Sequence, residues 1–193
     1  MNREFWSDVL RSGAIIGGVM SLSYIFERYV LAFSDMVLLK ASAIYCIEWL
    51  VACVVFIWLL ARFTRRRANA LPVQMGATYS YLLSYILFVS MLSGVLVGVA
   101  ETLYVSVMGY ESYIAGLIGR IDQLQQMYID MGISASDMTI FEQYTTQLRY
   151  MEQPSIFVTV FSQLQMYAIM GCIPGFIIAS VNSRRLRRTR EQK

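Results

Sequence analysis

Two carboxyl groups inside or beside long apolar runs are the residues of this 193-residue chain with the most chemistry to offer. Glu48 falls in the run 41–61, about 10 Å from its start at 1.5 Å per residue. A carboxyl group at that depth in a bilayer is costly and faces either a partner or water. Arg28, near the far end of the preceding run, is its expected partner, because two adjacent antiparallel helices would bring both into one leaflet. Two uses follow: a step in a proton or cation path, or one half of a structural ion pair, with a plain protonated acid as a variant of the latter. Glu101 closes the third apolar run, and Gln163 and Gln165 lie in the fourth, so these three are the candidates to line the same route.

Other chemistries are poorly supplied. There is no histidine, which removes the commonest general base and transition-metal ligand. Cys46, Cys53 and Cys172 lie in apolar runs without metal-ligand spacing, and Cys46 and Cys53, seven apart, stand about 10 Å apart on one helix, too far to bridge. No nucleotide loop, nucleophile elbow or metal-binding helix is present. The expectation is a non-enzyme with no catalytic, cofactor or metal site.

The elements that must carry these residues are membrane spans. Hydrophobic residues make up 57% of the chain and its mean hydropathy is +0.52, which places it among membrane proteins. Spans are expected at about 12–33, 41–61, 78–100 and 156–181. A signal peptide is the rival for the first, but no small-residue cleavage site closes the run. A turn with Pro72 separates spans two and three, and Pro174 should kink the fourth between Gly171 and Gly175.

Charge is sorted along the chain. Arg62, Arg65, Arg66 and Arg67 follow the second span, and Arg184, Arg185, Arg187, Arg188, Arg190 and Lys193 follow the fourth. With Arg3 and Arg11 these make 12 of the 16 basic residues on one side of a four-span layout. The positive-inside rule then puts both termini in the cytoplasm. The basic tail could also hold anionic lipid, at about 1 kcal/mol per residue near the surface. Nucleic-acid binding is not expected, since the basic run is short and lacks interleaved aromatics.

The segment 110–153 is too polar for lipid and carries six acids against Arg120 and Arg149. Ile114, Leu117, Ile118, Ile121, Leu124, Tyr128 and Met131 recur every three or four residues, one apolar helical stripe. Gly132 reads as a helix stop and Ser134 or Ser136 as the next N-cap. Met138, Phe141, Thr145, Leu148 and Met151 make a second, weaker stripe. The predicted fold is therefore all-α: a single membrane domain, a four-helix bundle with an extramembrane helical hairpin between spans three and four. The two stripes pack on each other, or bind a partner or a second copy.

Three pairs of small residues spaced by four, Gly13 with Gly17, Gly94 with Gly98 and Gly171 with Gly175, let helix backbones approach closely. Packing within one copy is the expected use, a dimer face the alternative.

The order of features resembles a known family. It comprises the Gly-rich first span (Ser12-Gly13-Ala14-Ile15-Ile16-Gly17-Gly18), the Arg-rich turn, the third-span run Ser90-Met91-Leu92-Ser93-Gly94-Val95-Leu96-Val97-Gly98-Val99, then Tyr104, a polar helical insert and a basic end. This is similar to the domain of unknown function 4199 family, small four-span membrane proteins found mainly in Bacteroidetes. That family often has an Asp-Pro step after the third span, where this chain has Gly109-Tyr110-Glu111-Ser112. The resemblance implies an inner-membrane protein with no assigned activity. It also implies an accessory role beside polyprenyl-phosphate glycosyltransferases.

Three functions follow as expectations. The first is a non-catalytic scaffold or accessory subunit presenting the acidic hairpin to the periplasm, with membrane lipid and a second copy or a membrane-protein partner. The second is a small oligomeric transporter or ion-conducting protein using Glu48. The third is an accessory subunit of a lipid-linked sugar glycosyltransferase.

Overall fold

The computed structural model describes residues 3–71, except 34–37, then 78–132 and 139–191. Expectations placed on Pro72, Ser134, Ser136 and Met138 lie outside the described residues. Those described form six helices and no strand: α1 (Arg3–Phe33), α2 (Leu38–Ala70), α3 (Tyr79–Met108), α4 (Tyr110–Asp130), α5 (Thr139–Arg149) and α6 (Ile156–Glu191). Helices α1, α2, α3 and α6 each contain a stretch long and apolar enough to cross a membrane, so the chain is an all-α, multi-pass membrane protein. At 31 to 36 residues, α1, α2 and α6 run about 46–54 Å, well beyond a hydrocarbon core near 30 Å.

Helix α3 is the centre of the bundle. Half of its most apolar window is buried, against 11% for α2. The reason is in its small residues. A Cβ on Gly94 would come within 2.5 Å of the Gln163 carbonyl oxygen, and one on Gly98 within 2.6 Å of the Val160 Cα, so α3 meets the backbone of antiparallel α6 directly. From the α6 side, Gly171 makes room for Ser90 and Gly175 for Ile86. On the opposite face, Gly13 and Gly17 of α1 receive Leu92 and Leu96. All three glycine pairs thus lie at helix contacts inside one copy. Helix α6 continues unbroken through Pro174.

The middle of the core is mostly apolar, with Ile16, Phe56, Leu60, Ile86 and Val89 fully buried beside the equally buried hydroxyls of Ser90 and Ser93. Polar contacts gather at its two ends. At the basic end, Arg67 is buried, pairs with Asp8 and donates to the Tyr81 hydroxyl at 2.9 and 3.1 Å. Beside it, the Tyr85 hydroxyl donates to Ser12 Oγ at 2.8 Å. Arg67 is therefore a core-stitching residue as well as one of the basic cluster. Arg65, Arg66 and Arg184 are exposed, and Arg62 lies over the Trp58 ring at 5.2 Å.

At the acidic end α3 stops at Gly109, whose φ of +80° only glycine adopts cheaply and whose N–H reaches the Val105 carbonyl. The chain re-enters a helix at once as α4, which ends before Gly132, also at positive φ. Helix α5 returns beside it, with the Tyr128 and Phe141 rings 5.5 Å apart. The Tyr110 hydroxyl donates to the Met151 and Glu152 carbonyls, tying the start of the hairpin to its end. Ser155, next to Pro154, accepts the Val158 N–H and starts α6.

Candidate functional site

Asp8 to Glu27 on α1 and Glu48 to Arg67 on α2 are both separations of nineteen residues. The polar contacts of the acidic end therefore lie about 28 Å along the helices from those of the basic end, close to one hydrocarbon thickness. The lipid-side apolar surface continues past that layer through Leu103, Val107 and Phe157, all well exposed, so the layer lies inside the apolar girdle.

That layer encloses a cavity of about 200 Å³ between α1, α2 and α6, with Val97 of α3 at its back. Ser23, Glu27 and Arg28 from α1, Glu48 from α2 and Gln163 from α6 face it. Helical spacing explains the set. Ser23 and Glu27 are four apart on one ridge of α1, and Tyr24 and Arg28 form the next ridge. The first ridge serves α2, where the Ser23 hydroxyl donates to Glu48 Oε1. The second serves the hairpin: the Arg28 guanidinium lies 5.0 Å from the Tyr24 ring centroid and 5.6 Å from that of Tyr113 on α4.

This arrangement differs from the expected Arg28–Glu48 pair. The ion contact of Arg28 among the described residues is with Glu27, at 4.0 Å, and neighbours in sequence splay apart on a helix, so the contact stays at the limit of range. Its Nε is buried and makes no hydrogen bond. Arg28 lies over Tyr24 and Tyr113 because its stem is on the ridge that meets α4, and among the described residues it makes no ion contact with Glu48 within 4.0 Å. Among the described residues Glu48 keeps only a neutral hydroxyl donor.

Glu101 accepts a hydrogen bond of 2.8 Å from Gln163 Nε2, linking α3 to α6. Gln165, two residues on, is turned to the opposite side of α6; it is exposed and does not line the cavity. A helix turns about 200° over two residues, so the two glutamines cannot share a route.

Beyond Glu101 a second cleft of about 170 Å³ opens between the end of α3, the hairpin and the start of α6, lined by Val105, Tyr110, Ile114, Leu117 and Leu148 among others. Tyr113 belongs to this cleft, and burial pushes its phenol above the ordinary value, so it stays neutral over Arg28. At its other end the cavity closes. The Phe56 and Tyr167 rings meet edge to face at 5.5 Å, one turn below Ala52 and Cys53, and fully buried Ile16 fills the same level on α1.

Sequence reasoning singled out Glu48, Arg28, Glu101 and Gln163, and the structure brings all four to one end of the bundle. It did not single out Ser23, Tyr45, Trp49 or Tyr167. The available signal was the four-residue repeat of Ser23 with Glu27 and of Tyr45 with Trp49 around Glu48. Among the described residues no group of three or more His, Cys, Asp or Glu could hold a metal ion. Comparison with known protein families, with curated proteins and with solved structures finds no match.

Proposed function

We propose that this chain is a small cation-handling protein of a bacterial inner membrane, with both termini in the cytoplasm, that takes its ligand from the periplasmic side into the Glu48 cavity. The observation that carries this reading is the cavity itself. Among the described residues it gathers Glu27, Glu48 and one guanidinium, that of Arg28, inside an apolar girdle, and ionisable groups so placed are expensive and serve substrate or ion paths. Orientation rests on the 12 basic residues gathered at one end. The closed ring pair of Phe56 and Tyr167 means that passage through one copy requires those rings to part, or a second copy to complete the path. Reconstituted into liposomes, the chain should take up a cation in a pH-dependent way, and Glu48→Gln should abolish the uptake. No uptake by the parent chain would overturn the reading.

A second reading, a scaffold or accessory subunit, is favoured by the hairpin. Among the described residues helix α4 has no buried side chain, and Ile129, Met131 and Tyr144 remain exposed on an acidic helical arm. The likeness to the domain of unknown function 4199 family, and with it a glycosyltransferase partner, belongs to this proposal. Deleting residues 111–152 should then abolish association with another membrane protein while insertion survives. Association that persists after the deletion counts against it.

A further inference from the structure

We infer that the Glu48 cavity binds a small alkylammonium group. This rests on the cavity being the working site, and it names the ligand class. Three properties select it.

The first is size. Pockets that bury drug-sized molecules run from about 300 to 1,000 Å³, and this one is about 200 Å³. The ligand is an ion well below drug size.

The second is charge. Arg28 is already engaged by two aromatic rings and by Glu27. Glu48 has a hydroxyl partner but no cationic one within 4.0 Å among the described residues. One carboxylate is therefore left without a counter-ion, in surroundings where the neighbouring Met20, Met166 and Met170 offer only apolar, polarisable surface.

The third is the aromatic lining. Tyr45 and Trp49 flank Glu48 on its own helix, and Tyr167 faces them from α6. Aromatic faces attract weakly hydrated organic cations, and Trp does so best. A hard inorganic ion prefers a shell of six or more oxygens, whereas much of this lining is aromatic ring and thioether from Tyr45, Trp49, Met20, Met166 and Met170. The alkyl part of an ammonium ion lies on the methionines while its charge meets Glu48. Such a group arrives either free or as the headgroup of an amino-phospholipid, since Tyr45, Trp49 and Met166 also form the lipid-exposed rim.

The test uses the full chain purified in a maltoside detergent and titrated calorimetrically with tetraethylammonium. Saturable binding is expected, lost in Glu48→Gln and weakened tenfold or more in Trp49→Leu, with Trp49→Phe closer to the parent. Native mass spectrometry of chain taken straight from membranes separates the two sources. Retained phosphatidylethanolamine that tetraethylammonium displaces means a lipid headgroup, and an empty chain that still binds tetraethylammonium means a free ion. Binding that survives Glu48→Gln, or no binding by the parent, overturns the inference. If Glu48-dependent cation uptake persists without ammonium binding, the ligand class is wrong and the transport reading stands; if both are absent, both fall.

Discussion

Gln163 Nε2 donates to Glu101 Oε2 at 2.8 Å, and this hydrogen bond joins a residue lining the membrane cavity to one lining the hairpin cleft. Glu101 belongs to the cleft and Gln163 to the cavity, so the bond joins α3 to α6 where the two chambers meet. Gln163→Leu leaves the half-buried Glu101 carboxyl without its donor and should cost about 1–3 kcal/mol, read as a lower unfolding midpoint in detergent. Glu101→Gln keeps an acceptor for the Gln163 amide and should cost much less. Equal losses in the two variants would show that charge, and not the hydrogen bond, holds the contact.

Cys53 lines the cavity, whereas Cys46 is exposed on the outside of α2. In a background with Cys46 and Cys172 replaced by serine, a trimethylammonium methanethiosulfonate should modify Cys53 several-fold faster than the sulfonate reagent of similar size. The carboxylates beside it concentrate cations and repel anions. Glu48→Gln should narrow the difference, and high salt should narrow it further.

The glycines of α3 and α1 separate close packing from mere helix composition. Gly94→Ala pushes a methyl group into the backbone of α6 and should destabilise the bundle by about 1–3 kcal/mol. Gly18→Ala meets nothing within 4 Å and should be neutral or stabilise slightly through helix propensity. Thermal unfolding of the two variants side by side checks both signs.

At the basic end, Asp8→Ala strips the buried Arg67 guanidinium of its carboxylate and leaves it only the Tyr81 hydroxyl. The expected cost is about 1–3 kcal/mol. Tyr81→Phe removes the remaining acceptor, and the double variant should lose more than either single one but less than their sum, because both partners serve one cation. Denaturant unfolding of the four proteins gives the coupling.

The hairpin rests on the bundle through the neutral Tyr113 ring over Arg28. Burial raises the Tyr113 pKa on folding, so this contribution to stability is complete below the ordinary tyrosine value of about 10 and is lost as pH rises through the higher folded value. Hydrogen exchange of α4, corrected for its intrinsic pH dependence, should show protection that is level below pH 10 and falls above it. Tyr113→Phe should remove the fall while keeping most of the protection.

Much of this fold was legible in the chain. The four apolar stretches, the helical stripe from Ile114 to Met131 and the stop at Gly132 follow from periodicity and from the conformational cost of positive φ. These are local rules, and the helices obey them. The glycine pairs were legible as contact points but not by partner, because spacing along one helix says which face is small and not what fills it.

The cavity was legible only in part. Glu48 stood out because a carboxylate in an apolar run has no local explanation. The partner did not follow, since a rotation of one residue about α1 decides whether Ser23 or Arg28 meets α2. Composition and periodicity determined a four-span, all-helical chain with 12 of its 16 basic residues on one side and an acidic helical arm on the other. The tertiary structure alone decided that Arg28 turns to Tyr113, that Ser23 holds Glu48, and that Tyr45, Trp49 and Tyr167 line the same cavity. Sequence spacing sets directions within a helix, but the rotation and depth of each helix are set by side-chain packing between helices.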